Sequence, residues 1–136
     1  MNFRFSLLFI MALWPLITLA HIDLITATPG KNEVIEKPIQ VITLKLSGKA
    51  EAKFSKIEVI EVATKERIDS GQVDADLQKN TLSTSLKIPL KTGKYHVKWK
   101  VVSVDTHKAH GEYDFTYAPK DTKKDAPQNA KEDTKE

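Results

Sequence analysis

The chain has 136 residues, with 21 Lys and Arg against 18 Asp and Glu, a formal charge of +3, and no cysteine. The absence of cysteine excludes a disulfide framework and thiolate metal sites together. The basic residues are spread along the chain and are not gathered in one run, which argues against nucleic acid as a partner.

The first twenty residues read as an export signal. Asn2 to Arg4 make a short polar, positively charged start, Phe5 to Leu19 are almost wholly apolar, and Thr18-Leu19-Ala20 supplies small residues for a signal peptidase. At about fifteen residues the apolar run is short for a membrane span, which needs roughly 20. Cleavage after Ala20 makes His21 the first residue of the mature protein. A histidine in that position carries a free α-amine and an imidazole together.

From His21 to Pro119 the sequence predicts one all-β domain, sized for a single hydrophobic core. Apolar or β-branched residues fill and largely alternate along Ile22–Ala27, Pro38–Ser47, Phe54–Val62, Thr81–Ile88, Gly93–Ser103 and Gly111–Tyr117, with a weaker piece at Arg67–Val73. In the Gly93 run, Tyr95, Val97, Trp99 and Val101 share one face, and His96, Lys98 and Lys100 share the other. Turn signals at Thr28-Pro29-Gly30, Ser47-Gly48 and Lys91-Thr92-Gly93 separate the runs. About seven short strands in such a length predict an immunoglobulin-like Greek-key β-sandwich without its disulfide. Trp99 reads as a core residue, and Lys94, Lys98 and Lys100 read as solvated edges that discourage strand pairing. The segment 120–136 has five Lys, five Asp or Glu and no aliphatic residue larger than Ala, so it reads as a disordered, neutral tail.

The chemistry rests on the histidines at 21, 96, 107 and 110. Asp105 and His107 lie two apart in the connection leaving the Trp99 strand, so on an extended backbone both point the same way. Such a pair can ligate a metal or hydrogen-bond each other. Adding the amine and imidazole of His21 yields three nitrogens and one oxygen, a set suited to tetragonal Cu(II), with Ni(II) and Zn(II) as lesser candidates. The amine loses a proton on binding, so affinity falls with pH. His110 reads as a solvated turn residue or a further ligand, and His96 as an exposed strand residue.

Three stretches carry a family resemblance: His21-Ile22-Asp23-Leu24-Ile25-Thr26-Ala27-Thr28-Pro29-Gly30, the Phe54–Val59 strand, and Gly93 through His107 followed by Gly111-Glu112-Tyr113-Asp114-Phe115. Together they resemble the CopC-type periplasmic copper-binding proteins over nearly all of residues 21–118. The resemblance implies a periplasmic, monomeric β-sandwich that binds one Cu(II) through His21, Asp105 and His107. It also implies a role in copper resistance, storage or delivery, with an inner-membrane copper transporter of the CopD type as partner and no membrane span of its own after cleavage. The chain departs from the family twice. Its methionines are Met1 and Met11, both in the signal segment, so the mature chain has no soft ligand for Cu(I). Where many relatives resemble Phe-Ser-Glu it has Leu46-Ser47-Gly48, leaving Glu33, Glu36 or a water to support the amino terminus.

Two other functions compete with this one. A metal-independent periplasmic interaction domain would leave the histidines incidental. A copper-dependent oxidase would need a flat aromatic platform, which the few aromatics, committed to core alternation, do not supply. No Ser/His/Asp order, paired carboxylates or glycine-rich phosphate loop points to another enzyme.

Overall fold

Alternation of buried and exposed side chains builds two facing sheets in the computed structural model, which describes residues 21–120. The expected signal segment, 1–20, and the tail beyond Lys120 lie outside the described residues. Eight strands form: β1 Leu24–Thr28, β2 Val34–Ile35, β3 Val41–Leu46, β4 Lys56–Glu61, β5 Asp74–Asp76, β6 Thr81–Ser85, β7 Gly93–Val102 and β8 Lys108–Tyr117. One sheet has the order β1-β3-β6-β5 and the other β2-β8-β7-β4. All neighbours are antiparallel except β2 with β8. This is the immunoglobulin-like order, with the first strand divided between the sheets at cis-Pro29.

The core lies where the inward faces meet. β3 contributes Ile42, Leu44 and Leu46, β6 Leu82, β4 Ile57 and Val59, β7 Tyr95, Val97 and Val101, and β8 Tyr113, Phe115 and Tyr117. Each fully buried side chain of this size contributes about 1.5–3 kcal/mol relative to exposure. Tyr95 and Phe115 stack with centroids 5.2 Å apart. The Tyr95 hydroxyl accepts the Lys91 N–H at 2.8 Å and donates to the Lys91 carbonyl at 2.7 Å, which pins the turn entering β7.

Trp99 is half-buried against the core, and its indole occupies the space a side chain would take at Gly111. A Cβ placed there would fall 2.6 Å from the indole Cζ2. The two residues face each other across the β7–β8 pairing, so the glycine is what admits the ring.

Three expectations are corrected. Arg67–Val73 is not a strand; it makes isolated bridges from Arg67 to Ile60 and from Asp69 to Leu86 as it crosses between sheets. Its role is electrostatic: the buried Asp69 carboxylate takes Arg67 Nε at 2.8 Å and Nη2 at 2.8 Å, and also the N–H groups of Val59 and Gly71 at 2.9 Å each. Burial alone would raise the Asp69 carboxyl, but the Arg67 hydrogen bonds and the two backbone N–H groups outweigh it and hold the group below its ordinary value. Second, Lys94, Lys98 and Lys100 are not on an edge, because β7 lies between β8 and β4; they cover the outer face of a central strand. Third, the strand count is eight because two strands too short to show a period join the six remaining runs: β2 pairs with the end of β8, and β5 with β6.

Candidate metal centre

Three segments meet at one end of the sandwich: the start of the domain at His21–Asp23, the exit of β3 at Ser47–Lys49, and the β7–β8 connection at Ser103–His107. Ser47 ties the first to the second. Its hydroxyl accepts the Asp23 N–H at 2.8 Å and donates to the His21 carbonyl at 3.4 Å, while its own N–H bonds the Asp23 carbonyl at 2.9 Å. The Val104 N–H, bonded to the Lys49 carbonyl at 3.1 Å, ties the second to the third.

The β7–β8 connection is a tight turn and not the extended backbone expected from the spacing of Asp105 and His107. Buried Ser103 organises it: its N–H bonds the His107 carbonyl at 2.9 Å and its hydroxyl accepts the His107 N–H at 3.0 Å. The same hydroxyl donates to the Asp105 carboxylate. Thr106 sits between the two candidates at φ +70°, a left-handed conformation that is costly for a β-branched residue. That reversal, closed by Thr106 N–H to Ser103 carbonyl at 2.9 Å, brings Asp105 Oδ2 to 3.1 Å from His107 Nδ1. The Ser103 hydroxyl first, and the His107 ring next, hold the Asp105 carboxyl below the usual carboxylate range.

His21 and Asp105 line one open cavity of about 300 Å³, together with Ile22, Ser47, Gly48, Lys49, Ser103 and Val104. His107 stands beside it on Asp105, with both side chains about half exposed. No three His, Asp or Glu side chains among the described residues converge closely enough to share an ion. Two of the four expected donor atoms belong to His21 alone, and in the uncut chain its nitrogen is the peptide nitrogen to Ala20. Asp105 lies on the Nδ1 side of the His107 ring and Nε2 points away from it, so one ion can take both groups only once their contact opens. A carboxylate offers about four acceptor positions, so Asp105 retains capacity beyond Ser103 and His107.

The other expected residues sit elsewhere. Glu33 accepts the Gly30 N–H at 2.5 Å and Glu36 pairs with Lys120 at 2.8 Å, both beyond the far end of β1. Neither supports the amino terminus; Ser47 ties down that segment. His110 is exposed on the outer face of β8, opposite Lys100. His96 is half-buried and not the exposed residue expected, its Nδ1 2.5 Å from Asp114 and its Nε2 3.3 Å from Glu112. With the two carboxylates on different ring nitrogens, one ion cannot take all three groups. The sequence reading also missed Ser103 and Thr106. A serine two residues before an aspartate is a turn signal that could have exposed the first; only coordinates expose the second.

The fold and this end of it define a class: a disulfide-free immunoglobulin-like sandwich that presents histidine and carboxylate from its first residues and from the turn before its last strand. The CopC domain family matches residues 24–118, and the chain belongs to that family. It is 35% identical to protein YobA of Escherichia coli K12 over 104 residues, 71% of this chain and 78% of that protein. Among solved structures it is similar to CopC from Methylosinus trichosporium OB3b, with TM-score 0.67, 26% identity, and coverage of 74% of this chain and 96% of that one. It is likewise similar to PcoC, a methionine-rich copper resistance protein from Escherichia coli, with TM-score 0.63, 25% identity, and coverage of 73% and 100%.

Proposed function

We propose that the mature chain is a periplasmic Cu(II)-binding protein of copper resistance, storage or delivery. It takes one ion as cargo through the His21 amine and imidazole, Asp105 and His107, and passes it to an inner-membrane transporter of the CopD type. The observation that carries the reading is the shared cavity: His21 and Asp105 line it, and His107 rests on Asp105. Family membership supplies the metal, since a similar structure is that of a copper resistance protein.

The residues here fit Cu(II), with nitrogen and oxygen donors and no sulfur. PcoC is described as methionine-rich, whereas the methionines of this chain are Met1 and Met11, both ahead of His21. Reduction to Cu(I) therefore leaves the ion with hard or borderline ligands, which favours release. Because the Asp105 contact is on Nδ1 and Nε2 points away from it, both groups reach one ion only when that contact opens, so loading should swing the His107 ring off the carboxylate.

The test uses the exported protein. Mass spectrometry should give a chain beginning at His21, and titration should give one equivalent of Cu(II) with a nitrogen-rich tetragonal EPR signal. A single glycine placed before His21 keeps every side chain yet displaces the amine, and should weaken binding by about tenfold or more. Unchanged affinity would refute the amine's part. No stoichiometric binding by the unextended protein would leave the metal-independent interaction domain as the reading.

A further inference from the structure

The outward residues of sheet β2-β8-β7-β4 fall into cross-strand rows. Ile60, His96 and Asp114 form one, and Glu58, Lys98 and Glu112 the next; each sets a carboxylate against a basic side chain. The third row, Lys56, Lys100 and His110, has no carboxylate. Like charges directly opposite one another disfavour strand pairing, so Lys56 facing Lys100 weakens the sheet locally. It lies at the end of the sheet next to the Ser103–His107 turn.

More cations extend it. Lys108 begins β8 opposite Val102, and Lys49 and Lys53 stand on the β3–β4 connection, which is pinned to β7 through Glu51 N–H to Val102 carbonyl and the Ala50–Ser103 bridge. Lys49, Lys53, Lys56, Lys100 and Lys108 are all exposed, and among the described residues none forms an ion pair. The nearby carboxylates in these segments are Asp23, Glu51 and Asp105. Two large apolar side chains protrude among the lysines: Phe54 is 60% exposed, with the Lys53 ammonium 5.8 Å from its ring centre, and Val104 is 48% exposed. A surface of this kind, cationic with apolar points, suits a layer that is anionic outside and apolar beneath.

The course of the chain says which such layer meets it. His21 opens at this end, and the residue before it is Ala20, the last of the segment whose Phe5–Leu19 stretch is almost wholly apolar. On the export reading, this end of the domain is the one next to the bilayer until that segment is removed. We propose that it is a docking face for an anionic phospholipid surface, with Phe54 and Val104 entering the headgroup layer and the five lysines meeting lipid phosphates. The inference rests on the export half of the function proposed above and not on copper. It places cargo exchange at the membrane surface, where a membrane-embedded acceptor would be reached by diffusion in two dimensions.

The test is co-sedimentation of the metal-free exported chain with vesicles of phosphatidylglycerol and phosphatidylcholine in equal parts, against pure phosphatidylcholine. Binding is expected to the mixed vesicles alone and to weaken as salt is raised. The double variant Lys56→Glu/Lys100→Glu should lower the partition coefficient by at least about fivefold per charge removed, and Phe54→Ser by about tenfold. Lys87→Glu/Lys91→Glu makes the same change in net charge at the opposite end and should retain more binding than the first pair. Equal loss from both pairs would reduce the effect to net charge and overturn the proposal, as would no binding to anionic vesicles. Failure on vesicles with lysine-dependent binding to a poly-glutamate peptide would also overturn it, in favour of an acidic protein. His107→Ala separates the two readings: it should abolish tight Cu(II) binding and leave vesicle binding unchanged.

Discussion

Two aspartates in this chain each sit two residues from a cationic or basic partner, and their surroundings give them opposite uses. Asp69 follows Arg67 and has a fully buried side chain that collects two guanidinium contacts and two backbone N–H groups. Asp105 precedes His107, is more than half exposed, and is met by one hydroxyl and one ring nitrogen. A carboxylate saturated with donors is a structural tie, and one left short of donors beside an open cavity is available to a cation. Spacing in sequence does not distinguish them; the donor count does.

Removing the saturated group gives the largest expected effect. Asp69→Ala strips the partner from Arg67 and orphans the Val59 and Gly71 N–H groups, and should lower unfolding free energy by about 3 kcal/mol in denaturant titration. Copper affinity of the folded fraction should not move. Because folding depresses the Asp69 pKa, its stabilisation is complete above the unfolded value of 3.8 and is lost as pH falls through the folded value. The stability gap between wild type and Asp69→Asn should therefore be full at neutral pH and narrow below about pH 4, which acid titration of both proteins checks.

The unsaturated group should behave the other way. Asp105→Ala should leave unfolding free energy nearly unchanged, yet weaken Cu(II) binding by about tenfold or more in calorimetry. A large stability loss with unchanged copper affinity would collapse the contrast between the two aspartates. The smallest expected effect is at the residue between the candidates. Asn tolerates left-handed backbone better than Thr, so Thr106→Asn should raise unfolding free energy by about 1 kcal/mol. The Asp105–His107 contact should survive it, as read from the ring orientation by NMR.

Much of the sandwich was legible because its long strands have one buried face. β3, β4, β6, β7 and the later half of β8 alternate so regularly that register follows from composition. β2 and β5 are two and three residues long, too short to carry a period, and exist because a neighbour offers a free edge. The start of β8 was missed because Lys108-Ala109-His110 has little apolar alternation; its pairing continues that of Gly111–Tyr117 along β7. The lysines of β7 looked like edge protection because strand order is a property of the whole sheet. Within the candidate site, residue types and chain order were readable, and so was the grouping of His21 with Asp105. The turn that joins Asp105 to His107 depends on a left-handed threonine that no local propensity favours, and the tie at Ser47 joins residues far apart in sequence.

The close fit of Trp99 over Gly111 has a spectroscopic consequence. The tryptophans of the whole chain are Trp14 and Trp99, so a protein cut after Ala20 emits from a single indole. That indole shares a cavity of about 460 Å³ with Leu24, Ile25, Thr26 and Ala27 of β1, the strand that follows directly from the amino terminus. One chromophore therefore reports the seating of the first strand, and its emission maximum and quenching rate offer a label-free measure of how firmly the amino-terminal segment is held.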